Sequence, residues 1–183
     1  MTRFTKHPRG VLLETINISG SPTTADFVNN ISAAFSSYEF EFVGLAWTTV
    51  TNALFGFQVS EDGTTWKSAS GDYFDAGLNA SSAGAGTVSA APNKTNALAL
   101  MSTNQAAVAG TFNGILKMFN PSDAVNAKTF NSFTNHTVGA TDIIHNSMSH
   151  KYTGANAIVG IRFKTYNGNT FKNQGVIKMY GIK

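Results

Sequence analysis

The chain has no cysteine and few charged residues. The absence of cysteine among its 183 residues excludes disulfide bonds and thiolate sites. Aspartate, glutamate, lysine and arginine together make up 13% of the residues, well below the roughly 25% of an average soluble domain. Asn, Ser, Thr, Gly and Ala are abundant instead, so the sequence predicts a polar surface that carries little charge.

Long apolar runs are also missing. No segment approaches the roughly 20 consecutive apolar residues that a membrane-spanning helix needs. Residues 1–10, MTRFTKHPRG, are polar and basic and do not resemble a secretory signal peptide. We therefore expect a soluble protein with no membrane span, made without a secretory leader.

The formal net charge is +3, but the thirteen basic residues are scattered along the chain. They form no stripe of the kind that binds nucleic acid, so we expect no nucleic-acid partner. The one cluster, Arg3, Lys6 and Arg9 with His7 among them, lies in residues 1–10. We interpret this segment as a basic arm, which is either solvated or docked on an acidic neighbour.

The composition is 42% hydrophobic and 11% aromatic, which predicts one folded domain with its own core. The apolar residues recur with the period of two that is typical of strands. The segment SYEFEFV shows this most clearly, because Tyr38, Phe40 and Phe42 alternate with Glu39 and Glu41. The aromatic side of this strand is expected to face the core.

Short patterns of the same kind predict further strands at 11–19, 53–60, 64–68, 112–119, 128–134, 157–166 and 175–182. Only residues 26–35 could hold one or two helical turns. The sequence therefore predicts an all-β fold, a single-domain antiparallel β-sandwich over residues 11–183. The last two strands are expected to form a closing pair, with the final strand inside a sheet.

Turns and loops are marked by small and polar residues. Asp62 and Gly63 predict a tight hairpin turn between 53–60 and 64–68, with Trp66 packed on a sheet. Residues 69–93, which include ASSAGAG, are predicted to be a long, exposed, flexible loop because they offer few side chains to bury. The histidine-containing segment between 134 and 157 is likewise interpreted as a polar connection.

Residues 157–183, AIVGIRFKTYNGNTFKNQGVIKMYGIK, carry a resemblance to a known family. They resemble the C-terminal end of small, jelly-roll-like β-sandwich domains found in virion proteins of tailed bacteriophages, and the ending MYGIK matches most specifically. LLETINISGSPTTADFVNNISAAFSSYEFEF, ALFGFQVSEDGTTW and GILKMFNPSDAVNAKTFNS are similar in the same order, so the resemblance covers residues 12–183. The chain departs from the family at Glu61, Asp62 and Gly63, where an Asn-x-Asp is common.

The resemblance implies a non-enzymatic structural protein on the surface of a tailed-phage virion, assembled in the bacterial cytoplasm. Because the domain begins within a dozen residues of Met1, we expect a separate protein docked on the particle: a capsid decoration, a head fibre or a small tail protein. Its partners would be other virion proteins and copies of itself, with a trimer as the first expectation. Low charge and exposed sheet edges suit such repetition.

The alternative is a receptor-binding adhesin of the tail that recognises a bacterial surface glycan. Sugars stack on exposed aromatic rings, and protein interfaces are enriched in them. The aromatic residues predicted to make exposed ligand or partner contacts are Tyr73, Phe74, Trp66 and Tyr152.

Catalytic and metal-binding patterns are weak. His145 and His150, with Asp142 nearby, suggest a metal site only if a loop brings them together. A Ser/His/Asp triad is not excluded by residue order, but Gly-x-Ser-x-Gly is absent. Glu39 and Glu41 share a strand face at a separation compatible with glycoside hydrolysis, although the solvent side of an amphipathic strand is the simpler interpretation.

A calcium loop is the last alternative. The acidic residues at 61, 62, 72 and 75 lie close together in sequence, but they lack the spacing that wraps oxygen ligands around the ion. The sequence therefore predicts no catalytic residue, no metal ligand and no cofactor.

Overall fold

The structure is a computed structural model that describes residues 10–48, 55–82, 84, 86–94, 98–99, 111–138, 142–165 and 169–183. Within these ranges the regular structure consists of β-strands, and none of the described residues forms a helix that could cross a membrane. Residues 26–35, the one segment whose sequence allowed one or two helical turns, form no helix, because the segment starts in a strand. Ala25 and Phe27 alternate inward there with period two, and turns and bends follow.

The described strands are β1 (Val11–Asn17), β2 (Thr24–Phe27), β3 (Ser37–Leu45), β4 (Phe55–Ser60), β5 (Tyr73–Ser81), β6 (Gly86–Lys94), β7 (Leu98–Ala99), β8 (Phe112–Phe119), β9 (Lys128–Val138), β10 (Asp142–Tyr152), β11 (Gly160–Thr165) and β12 (Val176–Ile182).

These strands form two antiparallel sheets. The large sheet has eight strands in the order β1-β12-β3-β8-β9-β10-β5-β6, and the small sheet has four in the order β2-β11-β4-β7. The sheets pack face to face, and the ring of Phe40 on β3 lies 5.2 Å from that of Phe163 on β11. The predicted single-domain antiparallel β-sandwich is therefore confirmed.

An aromatic cluster fills the space between the small sheet and one half of the large sheet. Phe163 is fully buried at its centre, with its ring 5.0 to 6.4 Å from five others: Phe27, Phe40, Phe42, Phe55 and Phe57. Edge-to-face contacts dominate, which suits the quadrupole of aromatic rings. We call β1, β12, β3 and β8 the aromatic half of the large sheet.

The C-terminal strand lies inside the large sheet, as predicted. β12 pairs with β1 on one side and with β3 on the other, so Met179 is fully buried. The predicted pairing of the last two strands is wrong, because β11 belongs to the small sheet. Phe171, in the connection between them, is buried beside Trp47 and Phe55, so this part of the connection packs against the core.

The predicted loop at 69–93 is also wrong, because it contains the β5–β6 hairpin at the edge of the large sheet. Its small residues allow close packing. A Cβ added to Gly77 would lie 2.5 Å from the Ser147 carbonyl oxygen of β10. Small side chains in this segment thus bring two strands together, so they are not a sign of looseness.

Two further segments differ from the prediction. The polar stretch between 134 and 157 is largely strand, since β9 extends to Val138 and β10 follows it. The turn at Asp62 and Gly63 is present, with Gly63 at φ +79°. The strand predicted after it is reduced to one bridge between Trp66 and Ser60.

Candidate functional site

Two of the four aromatic residues predicted to be exposed are buried. Tyr73 and Tyr152 are 0% and 2% exposed, so the prediction of exposed contacts is wrong for both. The Tyr73 hydroxyl donates to the carbonyl oxygen of Lys67 and accepts the N–H of Val59, each at 3.0 Å. Both rings occupy core-facing strand positions, where burial and hydrogen bonds to nearby turns hold them.

The Tyr152 hydroxyl donates to the Glu61 carboxylate at 2.8 Å. Lys67 and Asn156 also contact this carboxylate, at 2.6 and 3.2 Å. Burial acts to raise the pKa of Glu61, but these donors outweigh it and the pKa is lowered. Burial and the bond to Glu61 raise the pKa of Tyr152. The network ties the turn after β4 to the end of β10, and it occupies a carboxylate that the calcium alternative would need.

The other acidic residues of that alternative also have local roles. Asp62 accepts the backbone N–H groups of Thr64 and Thr65 at 2.8 and 2.6 Å, and these bonds lower its pKa. Asp72 accepts the N–H of Ala69 at 2.6 Å. These contacts are those of turn residues that stabilise their own backbone.

Trp66 and Phe74 are the predicted contact residues that keep access to the surface. The guanidinium carbon of Arg162 lies 4.3 Å from the centre of the Trp66 ring, which confirms that this tryptophan packs on a sheet. Arg162 makes a bidentate pair with Asp26 at 2.9 and 2.6 Å. Phe74 is half-buried, with the Lys151 ammonium 6.0 Å from its ring.

The candidates for the docking arm, Arg3, Lys6 and Arg9, and also His7, lie outside the described residues. Their docking role stays a prediction.

The structure brings together three residues whose combination the sequence did not predict. His150 Nδ1 lies 2.9 Å from Asp75 Oδ1, and His150 Nε2 lies 2.9 Å from Ser132 Oγ. Ser132, His150 and Asp75 stand on the adjacent strands β9, β10 and β5, on the face that looks toward the small sheet. The rings of Phe57 on β4 and His150 meet edge to face at 5.6 Å. The period-two alternation of β9 and β10 was the signal for this face. It was recognised in β9 over 128–134, but it was not recognised in β10.

These distances match those of a serine hydrolase triad. The proposed nucleophile, however, is inaccessible, because Ser132 is 0% exposed and a substrate cannot reach its Oγ in this structure. The chain of hydrogen bonds instead gives partners to the Ser132 hydroxyl, to both ring nitrogens of His150 and to one oxygen of Asp75, as buried polar side chains usually require.

The metal site considered for His145 and His150 is not formed. The two residues are five apart on one strand and therefore face opposite sides, so His145 is exposed while His150 is buried. Among the described residues no group of three or more His, Cys, Asp or Glu side chains is placed to hold a metal.

His136 is a second buried histidine on the same face. It is 1% exposed, and neither ring nitrogen has a hydrogen-bond partner among the described residues. Burial lowers its pKa to about 4. The imidazole is therefore neutral at physiological pH, and its charging is coupled to the stability of the fold.

We call β9, β10, β5 and β6 the polar half of the large sheet. The buried face of β9, β10 and β5 carries many polar side chains. Its buried polar residues are Asp75, Asn79, Lys128, Ser132, Thr134, His136, Asn146 and His150.

The outward face of the polar half carries exposed apolar side chains. Leu78, Val88, Phe133 and Ile143 are 59%, 81%, 50% and 49% exposed. We call these four residues the outer patch.

Strand register aligns most of the outer patch in one row. Phe133 of β9 faces Ser147 of β10, Ser147 faces Leu78 of β5, and Leu78 faces Val88 of β6. On the other side, Phe133 faces the half-buried Ile115 of β8. The row therefore runs across five strands and reaches the sheet edge.

The aromatic half also exposes Val11 and Leu12 on its edge strand β1 and Val43 on β3, but the outer face of its central strands carries charged groups. Glu41 of β3 lies 3.3 Å from the Lys178 ammonium and accepts a hydrogen bond from the Tyr180 hydroxyl at 3.2 Å. Glu39 stands opposite Lys117 in the strand register. The two carboxylates considered for glycoside hydrolysis thus lie on the charged outer side of an amphipathic strand.

No family model, no curated protein and no solved structure matches the chain.

Proposed function

We propose that this protein is a non-enzymatic structural component of a larger protein particle. The observation that carries the proposal is the outer patch, a group of exposed apolar side chains on the outer face of the large sheet. Exposed apolar patches on folded proteins mark sites of interaction. A face with this pattern functions best when another protein covers it.

The energy at stake supports this proposal. Burying a Val, Leu, Ile or Phe side chain completely contributes about 1.5 to 3 kcal/mol relative to exposure. The four patch residues are half to four-fifths exposed. Covering them would therefore contribute on the order of 5 kcal/mol before the costs of association.

The finer proposal is a surface protein of a tailed-phage virion: a capsid decoration, a head fibre or a small tail protein. Its support is the resemblance of residues 157–183 to phage virion domains, together with a surface low in charge. Identical subunits that repeat at short distances repel each other less when each carries little charge. The complete burial of Ser132 supports a role without catalysis.

Immunogold electron microscopy tests this proposal. Particles are purified from cultures that carry the gene and are labelled with an antibody raised against the protein. We expect gold at regular positions on the particle, lost when the antibody is first absorbed with purified protein. Unlabelled particles, in a lysate where the free protein is abundant, would contradict the proposal.

A glycan-binding adhesin is the second candidate, and the arrangement of Trp66, Arg162 and Asp26 favours it. An aromatic ring beside a guanidinium and a carboxylate offers both stacking and polar contacts to a sugar. The Arg162 and Asp26 side chains are 27% and 30% exposed. On a glycan array, binding that is lost with Trp66→Ala and kept with Phe74→Ala would support this candidate, whereas no binding to any glycan would exclude it for the sugars tested.

A further inference from the structure

We propose that the outer patch packs against the same patch on other copies of this chain. The inference rests on the proposed function, because it names the occupant of the face that the proposed function requires to be covered. It would make the polar half of the large sheet a self-association surface.

Charge is the first argument for an identical partner. The outward positions of β9 are Thr129, Asn131, Phe133, Asn135 and Thr137, and those of β10 are Ile143, His145, Ser147, Ser149 and Lys151. On β5 they are Phe74, Ala76, Leu78 and Ala80. Lys151, at the end of β10, is the one Asp, Glu, Lys or Arg residue among them. Two such faces bring almost no like charges together, and a neutral face is best matched by another neutral face.

Size is the second argument. β9 and β10 have 11 residues each, and β5 and β6 have 9 each. With strands about 4.8 Å apart and a rise of about 3.4 Å per residue, the four strands present a face of roughly 650 Å². Specific interfaces bury about 600 to 1,000 Å² per partner. The face therefore lies at the lower end of the size that a specific contact needs.

The shape of the surface is the third argument. The row places the small side chain of Ser147 between the large side chains of Phe133 and Leu78. Ser147 therefore leaves a depression between two large side chains, and a copy that is shifted by one strand can insert its Phe133 over Ser147. Face-to-face sheets pack in this way at a distance of about 10 Å.

Sedimentation velocity of the full chain tests the inference over about 1 to 100 μM, a range that reports micromolar dissociation constants. We expect a dimer, because a face-to-face contact between one patch and the same patch on another copy is isologous and closes at two subunits. Phe133→Lys or Leu78→Lys should weaken the association at least ~100-fold, because each places a charge in an apolar contact.

The matched control is Val43→Lys. Val43 is 39% exposed on the outer face of β3, in the aromatic half and outside the patch. Its substitution should leave the oligomer intact, and thermal unfolding should show that all three variants fold. A wild-type chain that is monomeric over the whole range would overturn the inference, and so would equal dissociation by Val43→Lys and Phe133→Lys.

Immunogold labelling of particles that carry the same variants separates the two proposals. If the wild type is monomeric and Phe133→Lys abolishes labelling, another particle protein covers the patch, so this inference fails while the proposed function holds. If the chain forms a patch-dependent oligomer but never labels particles, this inference holds while the proposed function fails.

Discussion

In the aromatic half of the large sheet Phe40 faces the core and Glu41 faces outward, whereas in the polar half His136 faces inward and Phe133 faces outward. The first arrangement is that of an ordinary amphipathic strand. The second places many polar residues inside, beside buried apolar ones such as Phe130 and Met148, and leaves Phe133 and Leu78 exposed. One continuous hydrogen-bonded sheet therefore contains two halves whose inner faces differ in polarity.

The difference shows that the two halves are held by different interactions. In the aromatic half, buried apolar area specifies the register, because a slip by one residue would move Phe40 to the surface. In the polar half, the chain from Asp75 through His150 to Ser132 ties three strands together by directional bonds. A register slip there would leave buried polar groups without partners, which is as costly as exposing an aromatic ring.

The largest expected effect comes from removing an aromatic ring from the core. In the aromatic half, Phe40→Ala should lower the free energy of unfolding by about 3 to 5 kcal/mol, because it leaves a cavity beside the rings of Phe27 and Phe163. The matched variant in the polar half, Phe133→Ala, removes a half-exposed ring and should change it by less than about 1 kcal/mol in the monomer. Urea denaturation of both variants measures the difference. Equal losses would show that the two halves do not differ.

Acid should destabilise the polar half through His136. Its folded pKa of about 4 lies below the ordinary value of 6.5, so the unfolded chain binds the proton first. Its contribution is constant above pH 6.5, and stability falls as the pH drops from 6.5 to 4, by roughly 3 kcal/mol at most.

The variant His136→Gln should remove this dependence, while His145→Gln, at an exposed position of β10, should keep it. Unfolding free energies at several pH values between 4 and 8 give the result. Parallel pH profiles for the wild type and His136→Gln would contradict the burial of a neutral imidazole.

The buried chain of hydrogen bonds should show a smaller effect. Asp75→Ala removes the partner of His150 Nδ1 and should cost about 2 to 3 kcal/mol, since a buried donor loses its acceptor. Asp75→Asn keeps one side-chain oxygen and should cost less. Chemical denaturation compares the two variants, and an alanine variant as stable as the asparagine variant would exclude the chain as a stabilising element.

The smallest effect is expected in the edge hairpin. Gly77→Ala places a Cβ 2.5 Å from the Ser147 carbonyl oxygen and should cost about 1 to 3 kcal/mol through displacement of β5 from β10. Gly86→Ala is the control, because its added Cβ has its nearest neighbour at 3.6 Å. Thermal unfolding of the two variants should differ, and equal melting temperatures would indicate that β5 and β10 are not closely packed.

The sequence predicted the aromatic half well and the polar half poorly, for one physical reason. Alternation was recognised where apolar residues face inward, as in β3, β8 and β12. In β10 the inward positions include Asn146 and His150, so the strand was interpreted as a polar connection. Pattern analysis assumes that polar residues face water, and here hydrogen bonds replace that contact.

The same assumption, that polar groups face water, explains the errors in the candidate sites. Trp66 was correctly predicted to pack on a sheet, whereas Tyr73 and Tyr152 were assigned to the surface although their hydroxyls are satisfied inside. The approach of Ser132 to His150 depends on strand order across the sheet. Strand order is a long-range property that local periodicity does not contain.

The central claim is that the outer patch is covered by other copies of the chain, and cysteine labelling tests it most directly. Because the chain has no cysteine, Ser147→Cys and Val125→Cys each introduce a single thiol. Ser147 lies in the row between Phe133 and Leu78, and its replacement keeps the four patch residues. Val125 is 79% exposed in the turn before β9, outside the patch. Maleimide should react with the thiol at 147 slowly in concentrated protein and faster on dilution, while the reaction at 125 should not depend on concentration. A reaction rate at 147 that does not change on dilution would contradict the claim.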